Sequence, residues 1–224
     1  MRSSLCLVVT AVLALVLILG GCGGGDGDDT TPAYLVGTWM GVLYDSAGDP
    51  VFGGPFQVQA DGTIDLSDDE PDAGTVSSNG NFTITTAMDT NTLEIEGTMG
   101  ANDEGSGTAR TMNGNVVVST GTIQVFRANA PGAAGQWDLV LAGDASGNFP
   151  VTVVAPGIID EEVTVGLDSD MLRGVITGAG KLVALWGTEN DNTPTVLLSG
   201  TGGNTQKSGE WSSSSGSGTW TATR

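Results

Sequence analysis

The chain has 224 residues, 26 of them acidic and 7 basic, with no histidine and a formal net charge of −19. That balance excludes a nucleic-acid surface, which needs clustered Lys and Arg to release counterions, and it sets the folded body against anionic lipid headgroups. Without histidine there is no Ser-His-Asp or Cys-His catalysis and no His-ligated zinc; carboxylate chemistry stays available, but the acidic residues sit mostly in loop-like runs, and the expectation is a non-enzyme without cofactor or metal centre.

The chain opens with Met1-Arg2-Ser3-Ser4, followed by an apolar run from Leu5 to Leu19 broken only by Thr10. A basic start and a short apolar stretch form the pattern of an export signal. Such a run makes about 22 Å of helix, short of the ~30 Å hydrocarbon core, so a spanning helix is the weaker reading. The run closes in Leu19-Gly20-Gly21-Cys22. An aliphatic residue, two small residues and a cysteine resemble the lipobox of bacterial lipoproteins. The resemblance implies removal of residues 1–21, a diacylglyceryl thioether on Cys22 and acylation of the new amino terminus. Gly23 stands where that family's inner-membrane retention signal places Asp, which implies onward transport to an outer membrane. Residues 22–33, with the run "GGGDGDDTTP", are expected to form a lipidated flexible tether, since this composition cannot bury a core. Cys6 falls in the discarded segment, and no disulfide can form.

From Tyr34 onward, short alternating runs are separated by Gly, Asn and Asp. "FQVQADGTIDL" (56–66) alternates about an Ala-Asp-Gly turn, and "TVSSNGNFTIT" (75–85) about Asn79-Gly80, a strong hairpin signal. "TMNGNVVV" (111–118) carries another Asn-Gly. No stretch after the signal sustains helical periodicity, and the reading is all-β. The acidic runs "SDDEPDAG" (67–74) and "ANDEGSG" (101–107) read as solvated loops. Asp68, Asp69, Glu70 and Asp72, and separately Asp160, Glu161 and Glu162, are oxygen clusters for which weak condensation of divalent cations is expected. Neither has the EF-hand spacing.

The chain repeats itself. "LVGTWMGVLY" (35–44) matches "AAGQWDLVLA" (133–142), "FQVQADGTID" (56–65) matches "VTVVAPGIID" (151–160), "TLEIEGT" (92–98) matches "TVLLSGT" (195–201), and "GTIQVFR" (121–127) matches "GTWTATR" (218–224). Four blocks in the same order at nearly the same interval predict a duplication: one β unit over 34–128 and a second over 133–224. Positions sorted by the pleat repeat as well, with Phe82 and Ile84 corresponding to Leu182 and Ala184.

Each unit opens on G-x-W, Gly37-Thr38-Trp39 and Gly135-Gln136-Trp137, and closes on a strand ending in Arg127 or Arg224. These ends are similar to those of the lipocalin and avidin group of up-and-down barrels. The resemblance implies that Arg127 packs over Trp39 and Arg224 over Trp137, pairs that stabilise the fold and carry no activity. Two small antiparallel barrels are therefore expected, with β-sandwiches as the alternative, since two packed sheets use the same alternation. Strands of five to eight residues with inward Trp, Leu, Ile and Val are expected to fill each unit. That favours a non-catalytic structural or interaction module, lipid-anchored in the cell envelope, over a lipocalin-like carrier of a small ligand. The membrane is its expected partner, through Cys22; the residues name no protein partner.

The lipobox makes the first prediction. Mass spectrometry of the mature amino terminus should find Cys22 acylated, and Cys22→Ala should release the protein from membranes. An unmodified terminus at another residue would remove the anchor.

Overall fold

The computed structural model describes residues 31–66, 74–88, 90–165, 168–187, 196–213 and 215–224. The expected signal segment, Cys22, most of the tether and the acidic run 67–73 lie outside them. The first unit contains β1 (Gly37–Tyr44), β2 (Pro50–Val58), β3 (Thr63–Leu66), β4 (Gly74–Val76), β5 (Asn81–Met88), β6 (Asn91–Met99), β7 (Glu104–Asn113) and β8 (Val116–Arg127). Each pairs with its neighbour antiparallel, and β8 returns to β1 with Trp39 opposite Arg127, which closes an eight-stranded barrel. A single 3-10 turn at Pro131–Ala133 leads into the second unit. There follow β9 (Gly135–Gly143), β10 (Gly147–Val153), β11 (Ile158–Val165), β12 (Asp168–Ile176), β13 (Leu182–Trp186), β14 (Val196–Gly202), β15 (Gln206–Ser213) and β16 (Gly216–Thr223). The fold is all-β, two tandem antiparallel barrels rather than sandwiches.

Turn chemistry sets the hairpins. Gly80 takes φ 86°, a left-handed value that costs glycine nothing, and its N–H donates to Ser77 O at 2.8 Å. Inward residues then follow the period of two. Trp39, Phe56, Val58, Ile64, Phe82, Ile84, Ile95, Ile123 and Val125 form one core, and Trp137, Val151, Val153, Ile159, Leu198, Trp211 and Trp220 belong to another. All four repeated blocks fall on strands of the same rank in the two barrels. Finer details also recur. Trp39 Nε1 donates to Leu35 O and Trp137 Nε1 to Ala133 O, both at 2.7 Å and both four residues back. On the rung beside each tryptophan, Gln57 donates to Thr38 Oγ1 at 2.6 Å and Gln136 to Thr152 Oγ1 at 2.7 Å; the residue types have exchanged strands.

The second barrel closes less completely. Its ladder order runs from β10 through β9, β16, β15, β14, β13 and β12 to β11, and β10 meets β11 only at the bridge Val154↔Ile158. The N–H of Thr152 turns into that seam and donates to the Glu161 carboxylate instead of to a backbone carbonyl. Two residues earlier on the same edge stands Pro150, which has no N–H to offer.

The two barrels share a wall. Met40 and Val42 face outward from β1 and pack with Phe126, Ala128, Val175, Val183 and Leu185 in a third apolar cluster. Gly53 permits the approach: a Cβ there would lie 2.3 Å from Leu185 Cδ1 and from Gly41 O. Polar groups close one side of this joint. Asp103, a non-glycine residue at φ 63°, is 7% exposed, and its carboxylate accepts from Asn129 Nδ2 at 3.0 Å and from Gly178 N at 3.0 Å. Arg127 Nη1 lies 3.6 Å from the same carboxylate. Lys181 Nζ stands 3.2 Å from Glu104 and 4.4 Å from the centre of the Phe126 ring. The run 101–107 is thus no solvated loop at its centre, because the second barrel covers it.

Val183→Asp places an unpaired carboxylate in this wall and should cost about 3–5 kcal/mol. In urea, the variant should unfold in two steps as the barrels separate. Two separate transitions already present in the wild type would show that the wall does not couple them.

Candidate functional site

The two barrels differ most in what fills them above the first tryptophan. Register pairs give the equivalent positions. Gly41 opposes Gly54 where Leu139 opposes Phe149, Ile95 opposes Ala109 where Leu198 opposes Trp211, and Thr86 opposes Leu93 where Trp186 opposes Val196. Large inward side chains plug the second barrel at this level, with the Phe149 and Trp186 rings 6.1 Å apart. A pocket of about 20 Å³ lies deeper in it, beside Trp137, Leu139 and Val151. In the first barrel the same level holds small residues, and a Cβ added at Gly54 would meet no atom within 4 Å. A cavity of about 420 Å³ opens there at the mouth, lined in part by Leu43, Phe52, Met88, Leu93, Ala109 and Val118. The expectation that side chains fill each unit fails at the mouth of the first barrel, because its bulk lies deeper, in Phe56, Phe82 and Met99.

Apolar residues rim this mouth. Val51, Phe52, Met88, Val116, Val117 and Val118 are all exposed, Val116 at 64%. They come from the start of β2 and from the tips of the β5–β6 and β7–β8 hairpins. The amino-terminal entry lies at the other end. Thr31 is buried and its N–H donates to Ala60 O, in the turn between β2 and β3. Chain arriving from Cys22 therefore reaches the barrel at its tryptophan end, opposite the mouth.

At the tryptophan end, Arg127 lies opposite Trp39 across the β1–β8 ladder, and its guanidinium donates to Val36 O and Ala33 O. Arg224 donates to Gly132 O at 3.0 Å, while the cation placed over Trp137 is Lys207, 5.9 Å from the ring centre. Both arginines fasten the segment entering their own barrel. Lys207 was not among the residues singled out from sequence. The pleat that puts Trp211 inward also puts Lys207 inward, so the signal was there in "KSGEW" (207–211). The lysine is 1% exposed and donates to Gly180 O at 2.9 Å and Gly202 O at 3.1 Å. Burial pushes its ammonium below the usual lysine range.

The carboxylates of β11 do not converge. Asp160 faces outward at 3.4 Å from Arg173, and Glu161 occupies the seam. Among the described residues, no group of three acidic, Cys or His side chains could hold a metal ion. Asp68, Asp69, Glu70 and Asp72 lie outside the described residues. No helix among those residues is long and apolar enough to cross a membrane.

No family model and no curated protein matches the chain. Solved structures match it over most of its length at low similarity. One is a DUF3598-family protein of unknown function from Nostoc punctiforme, 11% identical, with a TM-score of 0.27, covering 85% of this chain and 96% of that one. Another is intact Ap-TbpB with its N and C lobes, 11% identical, with a TM-score of 0.27. It covers 84% of this chain, which spans 46% of that protein.

Lys207 yields a prediction with a definite sign. Its native pKa is depressed, so between that value and the ordinary 10.5 the unfolded chain binds more protons than the folded one. Stability contributed by this group therefore rises with pH through that window. Urea unfolding between pH 7 and 10 should show the wild type gaining on Lys207→Met as pH increases. A constant difference would mean that the ammonium is not penalised by the fold.

Proposed function

We propose that the chain is a lipid-anchored, non-catalytic interaction module of the bacterial cell envelope, held at the outer membrane by Cys22. The observation that carries this reading is the apolar rim of the first barrel. Six exposed apolar residues around one opening are costly to leave in water, and such patches mark interaction surfaces. The rim stands at the opposite end of the barrel from the point where the chain enters it at Thr31. The strong net negative charge of the chain keeps the rest of the body soluble and off anionic lipid. A second reading, a carrier of a small ligand, is favoured by the cavity beneath that rim.

A photo-crosslinking residue at Val117 should capture a discrete partner in intact cells, and one at Thr221, exposed on the second barrel, should not. Equal labelling at both positions, or none at Val117, would overturn the interaction reading.

A further inference from the structure

We propose that the mouth of the first barrel binds a single uncharged alkyl or acyl chain, entering end-on between the β1–β2 connection and the tips of the β5–β6 and β7–β8 hairpins. This rests on the carrier reading and gives it a ligand class. Three observations converge. The first is space. The cavity measures about 420 Å³, within the ordinary range for small-ligand pockets. The two barrels share strand order, register and tryptophan anchor, so a common fold does not impose the opening. Of the positions where the other barrel has Phe149, Trp211 and Trp186, Ala109 lines the cavity, and a Cβ added at Gly54 would meet no atom within 4 Å.

The second observation is the lining. Leu43, Leu93 and Ala109 form the floor, and Phe52, Met88 and Val118 stand at the entrance. An alkyl chain seated there removes apolar surface from water on both partners, contributing roughly 0.8 kcal/mol for each methylene buried. Methionine and aliphatic side chains at an entrance can adapt to a flexible chain.

The third is charge. Among the described residues lining the cavity there is no lysine or arginine. The charged residue there is Asp45, whose carboxylate accepts from the N–H groups of Ala47 at 2.8 Å and Asp49 at 3.0 Å. The nearest wall cation, Arg110, points outward and is held by Glu94 at 2.6 Å. A carboxylate or phosphate headgroup at this mouth would meet like charge and no counter-ion. Ser46, Thr111, Ser119 and Thr120 offer hydroxyls instead, which suit a neutral alcohol or ester.

The test uses residues 23–224, which contain every described strand, and follows binding by titration calorimetry. The probes are 1-decanoylglycerol and decanoate, each below its micelle concentration. The expected result is one site per chain for 1-decanoylglycerol, with decanoate weaker by roughly tenfold or more. Gly54→Phe and Ala109→Trp each copy the second barrel's filling and should weaken 1-decanoylglycerol by at least about tenfold. Circular dichroism should still report the β spectrum, and two variants guard against one that fails to fold. Decanoate binding as tightly as the neutral probe would overturn the ligand class while leaving the carrier reading intact. No binding of either probe, or binding unchanged in both folded variants, would overturn the site itself.

Discussion

Strand β1 has to satisfy two cores at once, and most of the architecture depends on that. Its odd-numbered positions, Trp39 and Leu43 among them, face the barrel interior, while Met40 and Val42 face the neighbouring barrel, and all four are buried. A strand buried on both faces reads as a near-continuous apolar run, as "WMGVLY" does, instead of as a clean alternation. Gly53 keeps the partner strand β2 thin where Leu185 presses against it. The same strand closes the first barrel through β8 and carries the tryptophan whose indole holds Leu35. Interior, closure and joint therefore meet in eight residues.

Much of this was legible in the sequence, for a physical reason. A pleat of period two and glycine-dependent turns are local properties, so the all-β class, the Asn-Gly hairpins and the duplicated blocks could be read from residues close together. Phe82 and Ile84 match Leu182 and Ala184 on the fifth strand of each barrel because both pairs face a core. The joint was not legible. Asp103 and Glu104 sit in an acidic run that looks like any solvated loop, and their role depends on Gly178 and Lys181, far away in the chain. The seam between β10 and β11 was foreshadowed by Pro150, but its repair by a Glu161 side chain is a tertiary fact. The candidate site was illegible for the opposite reason. It is made of what is missing, and small residues such as Gly54 and Ala109 acquire meaning only beside their counterparts in the other barrel.

Those counterparts show how two copies of one design diverge without losing it. Near the tryptophan end, Met99 opposes Gly105 in the first barrel, and Gly202 opposes Lys207 in the second. One long side chain fills the space in each case, contributed from opposite strands. The lysine can do this because its stem is apolar and its ammonium reaches two carbonyls and the Trp137 face. The Gln–Thr rung beside the tryptophan exchanges strands in the same manner. The first swap keeps one long side chain in the space and the second keeps the hydrogen bond, as close packing requires. The change at the upper level conserves neither, since aromatic bulk in one barrel has only glycine, alanine and threonine opposite it in the other.

Closely packed cores do not keep voids cheaply, because each missing contact forfeits dispersion energy. At the upper level the first barrel leaves its space open to solvent instead of sealed, which avoids a dry cavity but exposes an apolar entrance. The shared wall then matters beyond stability. With Phe126 and Val42 locked against Val175 and Val183, the second barrel serves as a fixed support for the first. A mouth formed by hairpin tips is as steady as the strands beneath it, and β1 and β8 are both held by that support. One barrel bracing the other, with the entering chain fastened at the far end by Arg127, presents the opening in a fixed direction away from the point of entry.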